Sequence, residues 1–112
     1  MQKTILFTIS AVATAVIPAA RFVGMMTGAP CAAAAKALGV SQSDAAVGEA
    51  LAVDVLGTSI VESGGAFAAG TALKADATGR AVDQAGVGVI VAYAVTPATA
   101  AGQKVEVLLT GP

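Results

Sequence analysis

The chain has 112 residues, 56% apolar and only 12% charged, with six basic and seven acidic side chains giving a net charge of −1. Charges scattered singly provide neither a basic stripe for nucleic acid nor a polybasic membrane cluster, so direct binding to either is not expected. One cysteine and no histidine exclude an intrachain disulfide, a zinc site and every Ser-His or Cys-His nucleophile pair.

This length suits one domain, residues 1–112, which can bury about 65% of its unfolded surface and needs no staples. A charged share near half the usual ~25% leaves too little charge to cover a highly soluble monomer. Apolar surface is therefore expected to face a partner or another copy.

The N-terminal stretch KTILFTISAVATAVIPAA has the lysine, apolar run and small residues of a secretory leader. Its spacing favours the fold. Ile5, Phe7 and Ile9 alternate with Thr4, Thr8 and Ser10, a period of two that suits a half-buried strand, with Leu6 as the exception. The run is also shorter than the roughly 20 apolar residues that a membrane-spanning helix needs. A first strand, followed by a bend at Pro18, is expected.

Met25 and Met26 lie between Gly24 and Gly28 in a loop, where paired methionines either plug the core or form an adaptable contact. Cys31 has no local cation to activate it and reads as a small core residue. Ala32 to Leu38 is rich in the best helix former, but seven residues fall short of the roughly 12 needed for helicity without packing. This segment is read as extended or irregular.

Further along, Leu51, Val53 and Val55 alternate with Ala50, Ala52 and Asp54, which defines a strand. Asp76-Ala-Thr-Gly79 is a strand-joining turn flanked by Leu73 and Val82, and it lacks the further acids of a metal loop. Gly86-Val-Gly88 lacks the third glycine of a nucleotide loop and reads as a bend into a strand. That strand sets Val89, Val91, Tyr93 and Val95 against Ile90, Ala92 and Ala94. Thr96 as N-cap, Pro97 at the first helical position and Gly102 past the end predict one helical turn over residues 97–101. In the last strand, Val105, Val107 and Leu109 oppose Lys104, Glu106, Leu108 and Thr110.

Glycines recur mostly every 5 to 10 residues. Short strands at about that spacing predict an all-β sandwich or barrel with Gly-rich turns. Each of the seven acids sits at a turn or an exposed strand position, so no catalytic carboxylate pair, no cofactor and no metal are expected.

The order of these elements carries a resemblance. Ala20-Arg21-Phe22-Val23-Gly24, Ala37-Leu38-Gly39-Val40, Gly48-Glu49 and Val53-Asp54-Val55-Leu56-Gly57 come first. Val61-Glu62-Ser63-Gly64-Gly65-Ala66, Gly70, Asp76-Ala77-Thr78-Gly79-Arg80-Ala81 and Ala100-Ala101-Gly102 follow. From about Thr4 to Leu109 the chain resembles the capsid cement, or head decoration, family of tailed bacteriophages. The shared motifs are turns and strand ends rather than a chemical signature.

The resemblance implies a structural virion protein, not an enzyme, made in the host bacterial cytoplasm and carried on the outer surface of the phage head. It implies binding to the major capsid protein as a homo-oligomer, dimer or trimer, that ties neighbouring capsomers together. Lys3, Thr4, Ile5 and Phe7 of the first strand, with Arg21, Phe22, Met25 and Met26, are the expected capsid or self contacts, since an edge strand can add itself to a partner's sheet. The competing reading makes Ile5, Phe7, Phe22 and Val23 core. The alternative function is a secreted or periplasmic β-rich binding domain with residues 1–20 as leader. Within the phage class, the base of a head fibre is a further alternative, although this length leaves no room for a fibre segment.

Overall fold

A computed structural model describes residues 4–25 and 28–110, apart from the side chain of Phe7. Among them are eight strands and no helix: β1 (Ile5–Val12), β2 (Phe22–Gly24), β3 (Ala37–Ser41), β4 (Ala50–Glu62), β5 (Ala72–Ala75), β6 (Ala81–Asp83), β7 (Ala92–Ala94) and β8 (Lys104–Leu109). All strand pairs are antiparallel, in the order β2-β3-β4-β8-β7-β5-β6, with β1 pairing β4 beside this path. The sheet curls into a nearly closed barrel measuring 36 × 26 × 22 Å.

β4 is the spine of this arrangement. Its inward residues Leu51, Val53 and Val55 are buried, as the alternation predicts, and Val61 beyond them is buried too. The first half of β4 pairs β1 on one side and β3 on the other, whereas the second half pairs β8. The change happens at Gly57, whose φ of 97° lies in the left-handed region and whose Cβ, if present, would lie 2.1 Å from the Thr4 carbonyl oxygen. Glycine meets both demands, and the irregular β1–β4 register beside it is a bulge that bends the strand.

Two buried clusters result. The larger gathers Phe22, Val61, Leu73, Val105 and Val107; the smaller gathers Ile17, Val23, Leu38, Leu51, Val53 and Val55. Successive residues of β2 point to opposite faces, so Phe22 enters the first cluster and Val23 the second. β3 is buried throughout. Gly39 sits against β4 so tightly that a Cβ would lie 2.0 Å from the Asp54 carbonyl oxygen.

The N-terminal stretch read as a strand is one: residues 5–12 form β1, in register with β4 from Ile5↔Gly57 to Val12↔Ala50. Two other expectations need correction. The helical turn over residues 97–101 is absent, because Ala98 bridges Phe67 and Thr96 uses both its N–H and its hydroxyl on the backbone of Glu106 in β8. Long-range pairing outcompetes the local cap. The strand expected from Val89 to Val95 is also shorter: a left-handed turn through Ala85, Gly86 and Gly88 precedes it, and only Ala92–Ala94 pair as β7. Within β7 the small Ala92 and Ala94 face the core, while Tyr93 and Val95 are exposed. Cys31 is buried as expected, and burial pushes its thiol pKa up.

The Asp76 turn joins β5 to β6. Oδ1 of Asp76 accepts from the N–H groups of Thr78 and Arg80 and from the Thr78 hydroxyl, each at 2.9 Å, and Gly79 takes a φ of 85°. Partial burial pushes the Asp76 pKa up, but the Arg80 and Thr78 N–H groups, the Thr78 hydroxyl and the Arg80 charge outweigh it and hold the carboxyl below its usual value. A depressed folded-state pKa contributes stability above the unfolded value of about 3.9 and loses it as pH falls through the folded one. Amide protection in the β5–β6 hairpin should therefore fall in that acid window in the native chain and stay flat in Asp76→Asn. Hydrogen exchange measured against pH checks this.

Candidate docking surface

The carboxylates are committed to structure. Asp44 accepts from the Ala19 N–H, Glu49 from the Ala46 N–H, and Asp83 from the Ala85 N–H. Asp54 was expected at an exposed position but is fully buried, because the Gln42 amide and the Ser59 hydroxyl cover its two oxygens. Glu62 gathers three of the six cations: Arg21 at 3.1 Å, Lys104 at 3.3 Å and Arg80 at 3.8 Å. Among the described residues, no group of three or more Cys, Asp or Glu is placed to hold a metal ion.

The Glu62 cluster fixes the place of Arg21. Besides Glu62, its guanidinium donates to the Thr78 carbonyl at 3.1 Å, and its side chain is only 17% exposed. Arg21 thus ties the start of β2 to the end of β4 and to the β5–β6 turn. Phe22, expected as a contact, has no exposed surface and leaves the contact set, since its ring lies in the larger core. Met25 is half-buried and packs against the smaller core. Lys3, Met26 and the Phe7 side chain lie outside the described residues.

Thr4 precedes β1 and Ile5 begins it, and both are exposed. Even-numbered residues of β1 carry the outer face, where Leu6 is 74% and Val12 62% exposed. The inner row is incompletely covered: Ile5 is 37% exposed, and Ile9 and Ala11 are half-buried. Beside β1 runs a groove of about 240 Å³ whose lining includes Ile9, Ala11, Val12, Val23, Gly28 and Leu38. Its lining carries no charge.

A second apolar surface lies on the outside of β7 and β8. Tyr93 and Leu108 are register partners, 41% and 48% exposed, with Val95 exposed nearby on the same strand side as Tyr93. The sequence places Leu108 in the outward row, and the strand that holds Tyr93 has apolar or small residues on both faces, which suits either a covered central strand or a contact surface. The available signal is Leu108 itself, a large apolar residue in a row that otherwise reads Lys104, Glu106 and Thr110. An aromatic flanked by aliphatics on a charge-poor sheet is the composition of an interface core.

The described residues thus form an all-antiparallel barrel with most of its acids held in turns and ion pairs and with large apolar side chains exposed on its strands. The chain belongs to the phage cement protein family, whose model matches residues 1–109. No curated protein matches it. Among solved structures it is similar to the N base of head fiber gp8.5 in bacteriophage phi29, with a TM-score of 0.78 and 22% identity over 93% of each chain. That likeness supports the barrel fold, and the family makes this a structural protein of the phage head.

Proposed function

We propose that the protein binds the outer surface of the assembled major capsid lattice as an oligomer and ties neighbouring capsomers together. The observation that carries this reading is the exposed pair Tyr93 and Leu108 on paired strands of the barrel wall. A pre-formed sheet face loses little conformational freedom on docking, and a Tyr with an aliphatic neighbour suits the centre of an interface. Repetition around the shell supplies the rest. An oligomer gripping several capsid subunits gains avidity without any new kind of contact, so each copy needs only moderate affinity.

Capsid expansion creates the full site in this account, so the mature lattice is selected over the procapsid. Heads lacking the protein should release DNA at a lower temperature than complete heads, and adding purified protein should restore the loss. Unchanged release temperature with and without the protein would sink the cementing role. Equal affinity for procapsid and mature head would remove the maturation part alone.

A second reading, the base of a head fibre, is favoured by the likeness to the phi29 head fiber base. It requires a further segment or partner that projects from the head, and electron microscopy of decorated heads separates the two: a projecting fibre anchored on this chain or a low barrel on the shell.

A further inference from the structure

We propose that the free edge of β1 takes up a strand from a second copy of the chain, so that self-association runs through this edge. The inference rests on the reading of the protein as an oligomeric docking module and assigns the surface that builds the oligomer.

The backbone defines the acceptor. Ala13 donates its N–H to the Glu49 carbonyl at 2.9 Å, and its carbonyl accepts from Gly48 at 2.8 Å, so Ala13 faces β4. From Thr8 onward the register is regular, and antiparallel pairing alternates, so Ala11 and Ile9 also face β4 while Thr8, Ser10 and Val12 turn their polar groups away from it. The other side of the ladder agrees: Ala52, opposite Ser10, gives its carbonyl to Gln42 beyond β3 rather than to β1. β1 has no ladder partner besides β4 among the described residues. At the far end, the Thr14 N–H donates to the Gly28 carbonyl at 2.7 Å, which limits the acceptor to about two residue pairs and fixes its end.

Edge strands are normally guarded by charge, proline or an inward lysine. Thr8 to Val12 carries none of these, and no charged residue occurs from Thr4 to Ala20. A strand of the same sequence meets the edge without like-charge repulsion, and it brings the aliphatic spacing of Ile5, Ile9 and Ala11 to an inner row left partly uncovered in the single chain. The uncharged groove beside β1 accommodates such side chains.

Ser10→Pro tests the assignment. It removes an N–H that β4 does not use, and proline is tolerated on a strand edge whose N–H faces outward. In sedimentation equilibrium on the full chain, the native protein and Ser10→Thr should assemble alike, whereas Ser10→Pro should dissociate with a constant raised about 100-fold, roughly the loss of two hydrogen bonds. Circular dichroism should show all three folded; if the proline variant does not fold, Ser10→Lys keeps the backbone and places a charge at the edge. A native chain that stays monomeric, or proline and lysine variants that assemble as tightly as the native chain, would overturn the proposal. So would edge variants that assemble normally yet no longer bind heads, an outcome that assigns the edge to a capsid strand. A chain that assembles through β1 but binds no heads would remove the cement reading and leave this assignment standing.

Discussion

Phe22→Ala should destabilise the protein by about 3–5 kcal/mol, which in a domain whose whole stability is on the order of 5–15 kcal/mol leaves little folded chain at elevated temperature. The ring is fully buried in the larger cluster. Its strand is also pinned on both sides, since the Phe22 N–H donates to the Gly79 carbonyl at 2.7 Å, its carbonyl accepts from Cys31 at 2.8 Å, and Val40 is its register partner. A short strand held this firmly cannot move to fill the void, so the cavity cost adds to the lost transfer energy. Urea unfolding of both chains measures the difference. A loss under about 1 kcal/mol would mean that Phe22 is not the core residue described here.

Leu108→Asp should do the opposite, leaving the fold and removing binding. Leu108 is half exposed beside Tyr93 on the outer face of β8, so the change should cost the single chain no more than about 0.5 kcal/mol. At the centre of an apolar contact, a carboxylate would be buried without a partner, and the affinity for heads should fall about 100-fold or more. Tyr93→Ala should cost about 2 kcal/mol of binding, roughly 30-fold, by truncating the aromatic anchor. Both variants can be compared with the native chain by titration onto mature heads. Undiminished binding of Leu108→Asp would place the capsid contact elsewhere on the barrel.

The two variants mark what the sequence made legible. Phe22 and Val23 were readable as a contact or as core, and only long-range packing decides: β2 lies between the two clusters, which no local pattern records. The strands with clean alternation, β1, β4 and β8, were legible because a single period of two sorts their side chains. The stretch that holds β7 was legible as a strand but not in its bounds, since Val91 and Ala92 are both buried in succession after the left-handed turn at Gly88 and only Ala92–Ala94 pair as β7. Apolar or small residues in both rows left open which face meets the core, and the fold turns Tyr93 outward.

The helical turn over residues 97–101 failed for a related reason. Thr96, Pro97 and Gly102 satisfy the capping pattern, but helix nucleation is costly, and the backbone groups of this short segment gain more from Phe67 and Glu106 across the barrel. The role of Gly57 was equally hidden. Its glycine was visible, but the partner strands that require it, β1 before the bulge and β8 after it, belong to tertiary register. Of the expected contacts, Thr4 and Ile5 lie at the exposed start of β1, while Arg21 lies in the Glu62 cluster that locks the end of β4 to its neighbours.

Co-sedimentation of purified protein with mature phage heads stripped of their own copies, run beside procapsids, measures capsid binding itself. Saturable binding to mature heads at a fixed ratio to the major capsid protein is expected, and the ratio gives the symmetry of the bound oligomer. Absence of binding to either particle would contradict the cementing role.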